Sequence, residues 1–420
     1  MLTKKLKPES LMMSHGYEPM WSEGAVKPPI FQTSTFVFHT AEEGKAFFEV
    51  AYGLRKKDKF DKDGLIYSRL NNPNFEILEE RLKLWENADD AAAFSSGMSA
   101  ISTVFLTFLK PGDTILYSTP IYGGTYYFIT NILTAQGIHV IPFLHTDSKT
   151  DIAKKIIDNK AENSLKMVYV ETPANPNNAL FDLDMCQEIA NDFDNETLFV
   201  VDNTFMGPIW QKPLDFGADL VVYSATKYLG GHSDLIAGVC LGNAEPMKKV
   251  KGMRTFLGNM PTPFTAWLLT RSMETLQIRM EKQAFNAERI AYYLNQHPLV
   301  EKVYYLGLLT ENDEEYPIYK KQFSGAGAVF SFDIIGGEKE AFAFLNHLKL
   351  FKLAVSLGST ESLAQHPSSM THSDVLPEDK IIMNISDKMI RLSIGIEYHE
   401  DLIQDLENAF NVVKNMETVC

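Results

Sequence analysis

The chain has 420 residues, a formal net charge of −15, and 45% hydrophobic against 22% charged residues. One ordinary core does not grow to that size, so two domains or more are expected, with the composition of a soluble globular protein. The acidic balance argues against a nucleic-acid-binding surface, and the scattered cysteines, Cys186, Cys240 and Cys420, suggest neither a disulfide framework nor a zinc site and fit a reducing compartment.

Residues 1–8 carry lysines with no apolar stretch behind them, so no secretory leader is read. No apolar run approaches a membrane span; the longest, residues 100–109, contains Ser102, Thr103 and Thr107 and reads as a buried helix. A cytoplasmic protein without membrane or nucleic-acid partners is expected. Residues 1–65 read as an irregular arm, with Pro28-Pro29, the polar run Gln32-Thr33-Ser34-Thr35, and a highly charged stretch at 54–64 that reads as an exposed insertion loop. So long an arm without its own core is expected to lie on another domain or another subunit.

From 66 to 276 the pattern alternates helix and strand. Phe75, Leu78, Leu82 and Trp85 recur at helical spacing. Ala91-Ala92-Ala93-Phe94 runs into Ser95-Ser96-Gly97-Met98 and a helix through Leu109. Strands follow at 114–117, 139–143 and 166–171, with helices at 126–136 and 185–192. Leu198-Phe199-Val200-Val201 then ends in Asp202, and the run 219–223 ends in Ser224-Ala225-Thr226-Lys227. Such units predict a mostly parallel sheet covered on both faces, with its ligand at the C-terminal strand ends. Ser96, Tyr122, Glu171, Asp202 and Ser224 all fall there. From 277 to 420 a long amphipathic helix at 279–296, strands at 300–305, 328–335 and 391–394, and helices at 338–348 and 401–413 predict a smaller α+β domain.

Lys227 follows a buried run with no carboxylate beside it, so burial favours its neutral, nucleophilic amine. Neighbouring strands ending in Asp202 and in Ser224-x-Thr226-Lys227 meet the needs of a pyridoxal phosphate (PLP) site. The lysine bonds the aldehyde, the carboxylate keeps the pyridine nitrogen protonated, and the hydroxyls hold phosphate. Taken alone, Lys227 reads as a surface lysine on a strand-to-helix turn; the Asp202 strand and the segments that follow reverse this. Gly97 and Met98 open a helix whose free amides suit a phosphate, although Ser-Gly is also an ordinary cap. Tyr122, before Gly123-Gly124, can stack on a flat cofactor or simply half-bury in a turn. Tyr67-Ser68-Arg69 offers phosphate ligands or a surface pair. Asn175 sits in a loop stiffened by Pro173 and Pro176, and Arg391, on an apolar strand, suits a bidentate clamp on a substrate carboxylate. Gly325-Ala326-Gly327 lacks the context of a dinucleotide fingerprint, and His366 and His372 have no partners at ligand spacing, so no metal is expected.

Together the YSR, SSGM, YGGT, ETPANPN, VVDNTF, SATKYLGGH and SLG…ESLAQHPSSMTHS segments make the chain resemble the Cys/Met-metabolism family of PLP enzymes. That family includes cystathionine γ-synthase, cystathionine γ-lyase, methionine γ-lyase and the homoserine-ester sulfhydrylases. The resemblance runs from Pro28 to Arg391. It implies an α/β fold of the aspartate aminotransferase type, with a mostly parallel, seven-stranded kind of sheet and a smaller C-terminal α+β domain. It also implies a homotetramer built from two tight dimers. It assigns Lys227 as the lysine bonded to the cofactor, Asp202 as partner of the pyridine nitrogen, and Gly97, Met98, Ser224 and Thr226 as phosphate ligands. Tyr67 and Arg69 become phosphate ligands from the neighbouring subunit, Tyr122 the stacking ring and proton donor, and Asn175, Ser356 and Arg391 the substrate-carboxylate site. Three departures bear on substrate. Gly124 stands where methionine γ-lyases carry cysteine, which suggests extra room. Arg254-Thr255 stands where Lys-Asp is expected, which suggests a contact for an anion. Val355 stands where enzymes acting on cystathionine place glutamate. The expected reaction is γ-elimination on a methionine- or homoserine-type amino acid, then thiol replacement on an O-acylhomoserine, then cystathionine cleavage. Transamination would use the same Lys227 and Asp202 but is disfavoured by the YGGT and HPSSMTHS segments; a binding protein without activity is disfavoured by both residues being intact.

Overall fold

The computed structural model describes residues 6–56, 64–193 and 196–417; most of the charged stretch predicted as an insertion loop, residues 57–63, and Cys420 lie outside them. The larger unit is a seven-stranded sheet of β1 (Asp90–Phe94), β2 (Thr114–Thr119), β3 (His139–Leu144), β4 (Leu165–Glu171), β5 (Leu198–Asp202), β6 (Leu220–Tyr223) and β7 (Gly238–Gly242), in the order β1-β7-β6-β5-β4-β2-β3. The pairs from β3 through β6 are parallel, and β7 runs antiparallel to both β1 and β6. Strands β2, β4, β5 and β6 are almost wholly buried because helices cover both faces, hence their unbroken apolar runs. β7 was missed in the sequence reading: five residues with glycine at each end carry no usable period. Its insertion leaves β1 and β6 pointing the same way on either side of it, so the SSGM and SATK turns emerge at one edge.

The second sheet, β8 (Val300–Tyr304), β9 (Val329–Ile334), β10 (Lys352–Leu353), β11 (Leu363–Gln365) and β12 (Met389–Ser393), has the order β10-β11-β12-β9-β8. Phe330, Phe332, Phe344, Ile390, Leu392 and Phe410 form its core with helices Glu338–His347 and His399–Glu417. Helix Leu276–Asn295 serves both units: Leu276 and Met280 lie in the large core, Ala287, Ile290 and Leu294 in the small one.

Two expectations need correction. The arm is not irregular throughout, since Ala41–Ala51 is a helix capped by the Thr40 side chain. Its Phe48 and the following Tyr52 stay exposed, so no buried stripe announced it. The arm's first part also lies on its own chain: Met12 is in the large core, His15 O accepts from Arg81 Nε at 3.0 Å, Pro28 O accepts from Trp267 Nε1 at 3.0 Å, and Lys27 pairs with Glu274.

Arg254 is the second correction. It is buried behind β1, donating to Glu79 Oε1 at 2.6 Å and Ala93 O at 2.7 Å, so it offers nothing to a substrate. Burial alone would raise the Glu79 carboxyl; Arg254 and Lys251 outweigh it and hold it below the usual range. That contribution is present above the unfolded value of 4.5 and fades as pH falls through the lowered folded one. Arg254→Met should therefore destabilise the fold by about 3–5 kcal/mol. Denaturant melts at neutral pH should show a lower midpoint while KM is unchanged; a changed KM with an intact midpoint would return Arg254 to the substrate.

Candidate active site

The ends of β5 and β6 carry the two groups on which the rest is built. Asp202 is buried, accepting from Thr204 N–H at 3.0 Å and from the Tyr169 hydroxyl at 3.3 Å. Burial raises its carboxyl against those bonds, the setting in which a cation brought alongside is held strongly. Lys227 lies in the turn after β6, its N–H bonded to Ser224 O at 3.0 Å. Its Nζ donates to Ser356 Oγ at 2.9 Å. Burial, and then the charge of Arg391, pull the amine down to about 8, so a useful fraction is neutral near physiological pH.

An anion cradle lies alongside. Ser96 caps helix Gly97–Phe108 by accepting from Ser99 N–H at 3.0 Å, which leaves the amides of Gly97 and Met98 with no acceptor inside the helix. Gly97 packs on the SATK turn so closely that a Cβ there would lie 2.8 Å from Ser224 Cβ. Thr204 Oγ1 accepts from Ser224 N–H at 2.8 Å, and Thr226 Oγ1 from Ala237 N–H at 3.1 Å, fixing both hydroxyl-bearing residues. Tyr122, 42% exposed, opens helix Gly123–Tyr127 and is available to a flat ligand. A Cβ on Gly124 would lie 2.7 Å from Tyr122 Cε1. The space expected to serve a bulkier leaving group is thus taken by the Tyr122 ring itself. Burial, then Glu171 and Asp374, raise the Tyr122 phenol and keep it a proton donor at neutral pH.

Arg391 stands at the other end. It is buried on β12, donating through Nη1 to Asn175 Oδ1 at 3.0 Å and through Nη2 to Ser356 O at 2.7 Å. Gln365, opposite it in register on β11, lies 3.1 Å from Nη1 with its amide oxygen turned inward. Burial lowers the guanidinium to about 10, which leaves it cationic. Among the described residues no carboxylate lies within ion-pair distance of it, so the charge awaits an anionic ligand. Ser356, whose φ is 100°, bonds both Arg391 and Lys227. A serine held in that region of φ is strained, and here the strain aims its carbonyl and hydroxyl at two site residues.

Sequence reasoning places Glu171 at a ligand-bearing strand end but gives it no role. Its Oε2 accepts from Tyr122 N–H at 3.0 Å and its Oε1 from Asn175 N–H at 2.8 Å, so one carboxyl holds two site residues. It is also the register partner of Asp202. Burial and Asp202 push it up to about 8. Arg279, another buried cation, holds the turn after Lys227 by donating to Tyr228 O at 2.9 Å; a charge on a buried helix face was its only signal. His366 and His372 are buried in the small unit, where His366 bonds Asp387 O at 2.8 Å. Tyr67 and Arg69 stand apart: Arg69 donates to Thr255 O at 2.7 Å, and no hydrogen bond joins either to Gly97, Ser224 or Thr226.

A buried carboxylate, a lowered lysine amine, a glycine-floored anion cradle and an exposed ring fit PLP part for part. The comparisons agree. The profile of the Cys/Met metabolism PLP-dependent enzymes matches residues 9–411. The L-methionine gamma-lyase of Porphyromonas gingivalis is 41% identical over 415 residues, covering 97% of this chain and 99% of that one. The cystathionine gamma-lyase of Bacillus subtilis is 38% identical over 405 residues, covering 96% and 99%. The crystal structure of cystathionine gamma synthase from Xanthomonas oryzae pv. oryzae in complex with cystathionine superposes with a TM-score of 0.87 at 35% identity, over 98% of this chain and 100% of that one. The chain therefore belongs to the Cys/Met metabolism family of PLP-dependent enzymes.

Proposed function

We propose that the enzyme is a γ-lyase for methionine- or homoserine-type amino acids, releasing the Cγ substituent, a 2-oxo acid and ammonia. The observation that carries this is the Lys227–Ser356–Arg391 line, which sets a lysine with a lowered amine beside a buried carboxylate receptor. The relatives named L-methionine gamma-lyase, at 41% identity, support it. PLP, when bound, would supply an aldehyde for Lys227 and the substrate amine and a ring able to take up electrons from Cα. Arg391 and Asn175 receive the substrate carboxylate. Lys227 takes the Cα proton and then moves one from Cβ, while Ser356 Oγ keeps its amine on that side. Tyr122, a neutral phenol, gives its proton to the leaving group. Glu171 keeps the Tyr122 backbone and Asn175 in fixed relation throughout.

Substrate choice turns on a cavity of about 650 Å³ bordered by Thr226, Ser233 and Ser356 and lined by apolar Leu235, Ile236, Ala354, Val355 and Leu363 and by charged Asp234, Lys352 and Glu361. Its Glu361 carboxylate is bonded to the hydroxyls of Ser233 and Thr360. Exposed Val355 puts an apolar side chain where enzymes acting on cystathionine place glutamate, which supports an uncharged leaving group. A second reading, thiol replacement on an O-acylhomoserine, uses the same residues and is supported by the likeness to a cystathionine gamma synthase. We place the enzyme in the cytoplasm, which suits the buried free thiols Cys186 and Cys240; among the described residues no helix is long and apolar enough to cross a membrane. We further propose a homotetramer of two tight dimers in which a second copy supplies Tyr67 and Arg69 to the phosphate. Exposed Val37, Phe256 and Phe264 support a protein surface that another copy covers.

Four experiments test this reading. Lys227→Ala should lower kcat by more than about a thousandfold yet still bind PLP noncovalently. In the unsubstituted apo-protein the lysine–cofactor bond should form faster as pH rises to about 8 and then level off, because the neutral amine is the reacting form; acceleration continuing toward 10.5 would contradict the lowered amine.

Mixed oligomers of inactive Lys227→Ala and inactive Arg69→Ala chains should regain activity through hybrid sites. No recovery after verified subunit exchange would mean that the arm serves its own chain.

For substrate, kcat/KM should be highest for methionine or O-acetylhomoserine and lower for cystathionine, and Val355→Glu should raise the cystathionine value about tenfold. A native preference for cystathionine over all others would overturn the assignment.

A further inference from the structure

Behind the strand ends lies a buried carboxyl with no part in the chemistry above. Glu86 closes helix Pro73–Glu86 and is 0% exposed. Its Oε1 accepts from the Tyr223 hydroxyl and, at 3.5 Å, from Asn203 Nδ2. Asn203 Nδ2 also meets the Tyr223 hydroxyl at 2.8 Å, Gln211 O at 2.9 Å and Gly207 O at 3.2 Å. Tyr223 directly precedes Ser224, and Asn203 directly follows Asp202. One carboxyl thus reaches both strand ends from below, where Asn203 N–H also joins Val222 O at 3.2 Å.

Glu86 is not ion-paired. Among the described residues no cation lies within ion-pair distance of it; Lys212 and Asp215 act on it only from farther away and with opposite sign. Its Oε2, Asn203 Oδ1 and Gln211 Oε1 are buried acceptors without a donor, against a single unpartnered donor on Gln211, Nε2, so acceptors are in excess. A proton on Oε2 would supply a donor to this pocket, whereas a second lone-pair oxygen would leave the shortage as it is.

We propose that Glu86 is a positioning residue that works as a neutral carboxylic acid, clamping the ends of β5 and β6 through Tyr223 and Asn203 and so setting the gap between Asp202 and Ser224. The inference rests on the assignment of those two residues to the cofactor. It agrees with the direction of the carboxyl's shift, raised to about 8 chiefly by burial.

The charge state has a sign that can be measured. Between the unfolded value of 4.5 and about 8 the unfolded chain releases the Glu86 proton and the folded chain keeps it, so this group subtracts stability as pH rises. Glu86→Gln keeps shape and neutrality and removes that slope. Full-length apo-proteins would be compared by PLP titration and by thermal midpoint between about pH 5.5 and 8.5. Glu86→Gln should hold the PLP Kd within about threefold and gain midpoint over the parent as pH rises. Tyr223→Phe, which cuts the link at nearly constant volume, should weaken PLP about tenfold and shift the absorbance of the bound cofactor. A Glu86→Gln chain that loses PLP as badly as Tyr223→Phe, or follows the parent's pH slope, would overturn the neutral acid. Should Glu86→Gln not fold, an unchanged Kd and spectrum in Tyr223→Phe would overturn the clamp. Were the parent to bind no PLP, the cofactor assignment would fall, while the pH slope would still decide the state of Glu86.

Discussion

Arg391 is a buried cation with no carboxylate at ion-pair distance among the described residues, and most of the site is arranged to hold that charge in place. Neutral oxygens surround it: Asn175 Oδ1, the Ser356 carbonyl and the Gln365 amide. Dipoles can keep a guanidinium charged, but they leave its attraction for an anion largely unspent. The same charge is felt at Lys227, where it adds to burial in favouring the neutral amine. A single residue thus prepares both the carboxylate receptor and the nucleophile.

The hydrogen bonds spreading from Arg391 form one path. Asn175 leads through Glu171 to the backbone of Tyr122, and Ser356 leads to Lys227. From Lys227 the turn returns to Ser224, then through Thr204 to Asp202, which lies beside Glu171 in the sheet. Sheet topology makes this closure possible. With β7 reversed between β1 and β6, the ends of β1, β6, β5 and β4 all open on one edge, and β12 of the smaller sheet brings Arg391 to it. Burial raises both carboxyls along this edge, and Asp202 adds to it at Glu171, so both are pushed up before a cation joins them.

The departures from expectation share a physical cause, because each depended on what the residue faces across the fold. Arg254 stands where Lys-Asp is expected and suggested an anion contact, yet the helix carrying it turns inward onto Glu79. Gly124 removes a side chain, but the neighbouring ring lies over it and no void remains. The arm buries Met12 and hydrogen-bonds through Pro28 on its own domain, while Tyr67 and Arg69 remain outside their own chain's site.

The sequence by itself determined the fold class, the strand-end positions of Asp202 and Lys227, and the glycine-floored helix start at Gly97, because period, strand length and turn chemistry are local properties. It also marked Arg391, since an arginine within an apolar strand has to find a partner. Only the tertiary structure decided that Glu171 ties Tyr122 to Asn175, that Ser356 joins Lys227 to Arg391, and that Glu86 sits beneath both strand ends. Those contacts join residues up to 137 positions apart, and burial and hydrogen bonding across such distances are set by packing between elements, which no spacing along the chain records.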